Sequence, residues 1–273
     1  MKIFDCFLYF DEDLILDLRL NILYNYVDQF VILEAAEDHQ GNKRKLKFDI
    51  EKFSKFKSKI KYISLDTIHV DENIKLKKNW HKGHIKEQSM RNSIGNYLNE
   101  AEPDDWIIIS DIDEIPDPDK IKVFNPKKKY AFFEQKFFSY KFNIMNKSQP
   151  NWYGSRICVK RFLKSPQWLR SIKIKKRNII KKFFLNLNYE ILKNGGWHFS
   201  NIKSPDEIIE KTNAFCHGEL NQEKFKNKHI IESKIKNLKD IYDREIIYEK
   251  IQIDETFPKF FIENLKIYEN WIL

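Results

Sequence analysis

Trp106-Ile107-Ile108-Ile109-Ser110-Asp111-Ile112-Asp113-Glu114-Ile115-Pro116 runs from an unbroken apolar segment into three carboxylates and then a proline. The segment 106–109 is β-branched and aromatic without polar alternation, the pattern of a strand buried on both faces. Pro116 neither donates to a ladder nor continues an ordinary helix, so the strand ends before it. Asp111 and Asp113 are therefore expected where a central strand leaves the sheet, the edge at which open α/β sheets bind ligands. Two ionised carboxylates one residue apart call for a neutralising cation. A hard divalent ion, Mg²⁺ or Mn²⁺, completed by a nucleotide diphosphate, meets that need. The plainer reading is a solvated acidic turn, since Asp favours turns.

Outward from this strand the pattern is β-α-β. Residues 2–10 read as a first strand, followed by an acidic cap at 11–13 and a helix with Leu14, Leu18, Ile22 and Leu23 at helical spacing. Phe30-Val31-Ile32-Leu33-Glu34 is a second buried strand, placed parallel to the first by a right-handed crossover. Further strands are expected at 60–65, 130–140 and 155–162, and a long helix at 82–100. From residue 204 the pattern turns helical, with Pro205 near a helix start and Ile208, Ile209, Thr212 and Phe215 on one stripe. Without repeats or low-complexity linkers, residues 1–273 read as one mixed α/β domain finished by a helical C-terminal portion.

A hydrophobic content of 42% with 15% aromatics excludes a disordered chain. Forty-nine Lys and Arg against 40 Asp and Glu give a formal charge of +9, concentrated in runs such as 173–182. That run suits peripheral contact with anionic lipid, or is simply a solvated face. Cys6, Cys158 and Cys216 are widely separated and odd in number, so neither a disulfide framework nor metal-ligand spacing is indicated. A reducing, cytoplasmic setting is expected. Met1 to Cys6 carry an acid and no extended apolar run, so neither a signal peptide nor an anchor is expected there, and no segment reaches the length of a membrane span.

The chain resembles glycosyltransferase family 17, which includes the enzyme adding the bisecting N-acetylglucosamine to N-glycans, with bacterial and viral relatives. The likeness runs through Asp5-Cys6-Phe7, the helix from Asp13 to Leu20, Val27 to Glu34, and Lys45-Leu46-Lys47-Phe48. It continues through Glu87-Gln88-Ser89-Met90-Arg91-Asn92, Pro103-Asp104-Asp105, the acidic motif, and Gly196-Trp197-His198-Phe199-Ser200. Cys216-His217-Gly218-Glu219 is a weaker block. The resemblance implies a GT-A architecture with a mixed, mostly parallel sheet flanked by helices, a UDP-sugar donor, and metal held through the Asp-x-Asp motif. It also implies inversion at the anomeric carbon, with a glycan or glycolipid as acceptor.

Carried onto this sequence, the motif makes Asp113 a direct metal ligand and places Asp111 on a ribose hydroxyl, the metal or a metal-bound water. Glu114 is a third ligand, a residue that orients the acceptor, or a surface acid. Glu34, at the end of the second strand, contacts nucleotide or caps the next loop. Arg91 forks onto phosphate or pairs with the motif. His198 follows Gly195-Gly196-Trp197, a setting that brings backbone close to a ligand behind an aromatic wall, and its imidazole completes the metal shell or meets the diphosphate. Inversion needs a base for the acceptor hydroxyl. Asp206 is the first choice, though an N-cap explains it equally well; Glu114 and Glu219 are the alternatives.

Two other classes compete. A metal-dependent nuclease or phosphotransferase needs basic residues beside the acids, and the segment after Pro116 is acidic instead. A nucleic-acid-binding protein using 173–182 needs aromatic interleaving or a recognisable motif, and neither is there. No nucleic acid partner is expected.

Overall fold

The computed structural model describes residues 1–70, 82–174, 189–214 and 221–273. Its centre is β4 (Trp106–Ile109), every residue of which is buried, as expected of an apolar run without alternation. β1 (Ile3–Leu8), β2 (Gln29–Ala35) and β3 (Ile60–Leu65) complete a wholly parallel half in the order β3-β2-β1-β4. α1 (Asp13–Leu23) is the crossover between β1 and β2. It packs Leu16, Leu20 and Leu23 with Phe7, Phe30 and Ile108 on one face of the sheet. On the other face α2 (Lys82–Ser93) and the 3₁₀ turn after it bring Met90 and Ile94 against Phe4, Val31 and Ile107. The helix expected over 82–100 thus tightens into 3₁₀ geometry at Ile94–Tyr97.

Beyond β4 the pairing becomes largely antiparallel. β9 (Arg156–Val159) lies against β4, and β6 (Tyr130–Ser139) against β9. β10 (Tyr189–Ser200) then runs parallel to β6 and carries β5 (Glu114–Pro116) antiparallel on its far edge. β7 (Ile144–Asn146), β8 (Asn151–Trp152) and β11 (Tyr248–Lys250) extend the β6 side into a sheet of 11 strands among the described residues. The result is the mixed, mostly parallel sheet flanked by helices that the resemblance implies.

The short helices α3 (Pro118–Lys122) and α4 (Pro166–Ser171) precede α5 (Pro205–Ala214), α6 (Lys228–Lys236) and α7 (Lys259–Glu263). α5 starts where Pro205 places it, because Ser204 and Glu207 form a reciprocal capping box. Asp206 is one residue inside that helix, so it is not the cap. The C-terminal portion is not helical throughout, since β11 interrupts it. Phe257, Phe261 and Tyr268 return to the main core beside α1.

Candidate active site

The parallel strands end at Leu8, Ala35 and Ile109, and their ends open into a cleft of about 480 Å³ that Asp111, Asp113 and His198 also line. The acidic turn crosses from β4 to the far side of the sheet. Leaving β4, the chain re-enters as β5, where Glu114 stands opposite His198 on β10. The Phe199 amide donates to the Asp113 carbonyl over 2.8 Å, so turn and strand are locked in register.

Arg19 of α1 braces this turn from beneath. Its guanidinium is fully buried and donates through Nη1 to the carbonyls of Asp111 (3.2 Å), Ile112 (3.1 Å) and Glu114 (2.9 Å). Nη2 reaches Ser110 Oγ over 2.6 Å, and Asp5 on β1 accepts from both Nε and Nη2. A buried charge of this kind is tolerable only with its partner and its hydrogen bonds complete. Both conditions hold.

Arginines stand on both oxygens of Asp111. Oδ1 accepts from Arg91 Nη2 at 2.9 Å and Oδ2 from Arg170 Nη2 at 2.6 Å. Burial pushes this carboxyl up, but the two guanidiniums outweigh it and hold the pKa at about 2. Asp111 is therefore held by two guanidiniums at the wall of the cleft. Arg91 is shared with Glu87 and Gln167, and of the two roles foreseen for it the pairing with the motif is the one observed.

Glu114 is fully buried and saturated. Oε1 accepts from Trp152 Nε1 (2.5 Å) and Arg170 Nη2 (2.7 Å), and Oε2 from the Asp111 amide (2.9 Å). A Cβ on Gly154 would fall 2.0 Å from Oε1, so a glycine is needed there for this carboxylate to lie flat. Glu114 thus ties the turn to α4 and β8, and the surface acid considered from sequence is excluded.

Asp113 and His198 do meet. Nε2 lies 3.6 Å from Asp113 Oδ1. Burial raises the Asp113 carboxyl, and the neighbouring His198, with Lys211, more than reverses this, leaving it below its ordinary value. The ring of His198 packs against Phe137 at 4.4 Å and Trp152 at 4.9 Å, and its Nδ1 is buried without a hydrogen-bond partner. Adjacent ligands in an octahedral shell of radius about 2.1 Å stand roughly 3 Å apart. The Asp113–His198 pair is close to that spacing. Among the described residues no group of three or more His, Cys, Asp or Glu gathers as a ready-made cage. A Mg²⁺- or Mn²⁺-type site that draws its other ligands from phosphate and water needs only one or two protein groups, so these residues fit one.

The other sequence candidates lie elsewhere. Glu34 is fully buried beneath the loop that follows β2, accepting from Arg44 Nη1, the amides of Lys47 and Phe48, and the Tyr62 hydroxyl. It anchors that loop and does not line the cleft. Asp206 is exposed, paired with Lys228 at 2.6 Å, and also outside the cleft. Glu219 lies outside the described residues, as does most of the 173–182 run. Gly195 and Gly196 bring backbone close to backbone. Gly196 has φ +131° and a Cβ there would meet the Ile115 carbonyl at 2.2 Å. Trp197 is core, its Nε1 donating to the Thr256 carbonyl.

Sequence reading missed Arg19, Arg170 and Trp152. Only Arg19 left a signal, as a cation between Leu16 and Leu23 on the apolar side of α1, with Asp5 similarly placed in an apolar strand.

A family model described as glycosyltransferase family 17 matches residues 1–260. The chain belongs to that family. This glycosyltransferase matches no curated protein. Guanidiniums do stand beside its acids, as the phosphate-chemistry alternative requires, and family membership decides for sugar transfer. Among the described residues of the transferase no helix is long and apolar enough to cross a membrane.

Proposed function

We propose that this glycosyltransferase is metal-dependent and inverting, and that it moves N-acetylglucosamine from UDP-GlcNAc to a glycan or glycolipid acceptor. The observation that carries the reading is the Asp113–His198 pair at 3.6 Å on the wall of the cleft. The donor assignment rests on the family likeness. Mn²⁺ or Mg²⁺ held by Asp113 and His198 would neutralise charge developing on the leaving diphosphate.

The remaining work falls to the chain itself. Arg91 and Arg170 keep Asp111 ionised and fixed, so its cleft-facing edge is a preformed acceptor for a ribose hydroxyl. Arg19 and Glu114 hold the turn rigid while the donor binds. Phe137 and Trp152 shield one side of His198 from water. Cys6 and Cys158 are buried free thiols, which supports a cytoplasmic setting.

Thermal unfolding with UDP, GDP and CMP, each with and without Mn²⁺, tests the reading. Expected is a stabilisation by UDP that requires Mn²⁺, corresponding to several degrees at ligand concentrations about a hundredfold above Kd. Asp113→Ala should retain the apo melting temperature and lose both this shift and UDP-GlcNAc turnover. Full turnover in that variant would overturn the metal assignment.

A further inference from the structure

Asp11 and Glu12 stand next to each other on the loop between β1 and α1, and both side chains are turned inward, 7% and 12% exposed. Glu12 sits at the N-terminal boundary of α1 but does not cap it. Its Oε2 accepts instead from the amides of Phe10 (3.0 Å) and Asp11 (3.1 Å), within its own loop, and the residue lines the cleft. Neighbouring carboxylates withdrawn from water repel each other unless a cation stands between them.

That cation is Lys203. Its side chain is 4% exposed, and Nζ donates to Asp11 Oδ1 and lies 3.9 Å from Glu12 Oε1. Lys47, on the loop after β2, is a more exposed second partner 3.7 Å from Asp11 Oδ2. The turn that delivers Lys203 is itself pinned. β10 ends at Ser200, Asn201 takes left-handed backbone at φ 54°, and the Lys203 amide donates to the Asn201 carbonyl over 2.9 Å. A residue other than glycine keeps such a conformation only where its surroundings fix it; here Ile202 is buried in the main core and Lys203 is held by the two acids. Ser204 then opens α5, which carries Lys211 to the cleft, facing both Glu12 and Asp113. Lys203 thus joins two walls of the cleft, the loop after β1 and the root of α5.

We infer that Lys203 is a positioning residue for donor binding: by clamping Asp11 and Glu12 it fixes the gap between that loop and α5, and so presents Glu12 and Lys211 to the sugar nucleotide. The inference rests on the reading of Asp113 and His198 as the donor's diphosphate end. A lysine facing Asp113 is placed to meet phosphate oxygens as a point charge, and Glu12, fixed by two amides, is placed to accept from donor hydroxyls. Lys203 itself does not line the cleft. Without it two inward carboxylates are left to repel, which drives the loop towards water and away from α5. The acidic turn does not depend on this clamp, because the Phe199 amide and Arg19 hold it separately. Donor affinity, rather than the chemical step, carries the effect.

Calorimetric titration of the whole protein with UDP in the presence of Mn²⁺, together with UDP-GlcNAc hydrolysis kinetics, tests this. Lys203→Met should weaken UDP binding about tenfold and raise KM for UDP-GlcNAc by the same factor while kcat stays within about twofold, the split expected when only binding is lost. Lys203→Arg, which keeps the charge, should recover most of the affinity. The double variant Asp11→Asn/Lys203→Met removes one charge of each sign and serves if the single variant folds poorly. It should regain stability in urea and still bind UDP about tenfold more weakly. Binding that returns together with stability, wild-type affinity in Lys203→Met, or a fall in kcat at unchanged KM would overturn the inference. Wild-type protein that does not bind UDP with Mn²⁺ would strike the donor reading and the clamp with it, whereas those results strike the clamp alone.

Discussion

Arg19 carries a full charge at zero exposure, so its removal leaves Asp5 buried and unpaired. Breaking such a pair from one side costs about 3–5 kcal/mol. Arg19→Met should therefore lower the unfolding free energy by that amount, read from urea denaturation. Adding Asp5→Leu should recover much of the stability without recovering transfer, because the carbonyls of Asp111, Ile112 and Glu114 would still lack their donor. Full activity in the double variant would show that the brace is dispensable. Asp111 makes a second prediction. Its pKa is about 2 in the folded state against about 3.9 in an unfolded chain. A depressed carboxyl stabilises the fold above its unfolded pKa and loses that contribution as pH falls through the folded one. Far-UV circular dichroism against pH should show stability declining between about pH 4 and pH 2, with Asp111→Asn flattening that decline. An unchanged acid profile would argue against the arginine pairing. Asp113 and His198 were legible in the sequence because each interrupts an apolar or glycine-rich setting. Arg170 and Trp152 were not, since their partners come from elements that meet only in the folded chain.

At the scale of elements, the parallel half was readable from its buried runs, whereas in the other half only β6 and β9, expected at 130–140 and 155–162, were. β5, β7, β8 and β11 have three residues or fewer, too short for a period to declare itself. β10 hides behind its own glycines, which look like a loop and are in fact a bulge, with the register against β6 shifting between Leu192 and Gly196. That bulge lets β10 pair with β5 and so delivers His198 to Asp113. Gly196→Ala places a Cβ against the Ile115 carbonyl in a backbone conformation that alanine resists. The variant should lose about 1–3 kcal/mol in urea denaturation and, at temperatures where it remains folded, most of the Mn²⁺-dependent UDP shift. A variant with wild-type UDP response would mean that His198 does not need this pairing.

Across the whole molecule the cores are unequal. Two clusters cover the faces of the main sheet, whereas Tyr140, Ile144, Ile208, Ile231, Ile235, Ile241 and Tyr248 form a separate, smaller one among the described residues. Burial of each large apolar side chain stabilises by about 1.5–3 kcal/mol, so the body built on α5 and α6 has far less holding it than the sheet at β1, β2 and β4. Opening free energies follow such differences in buried contacts, and ligand-binding elements belong to the weaker end. Native-state hydrogen exchange should therefore find α6 amides opening at least about 2 kcal/mol more easily than those of β1 and β4, which should exchange only through global unfolding. Equal protection in the two bodies would mean that the small cluster unfolds with the sheet as one unit. Because Asp240 and Tyr242 lie on the weaker body, that side of the cleft is the part able to adjust, while the braced acidic turn stays fixed on the stronger one.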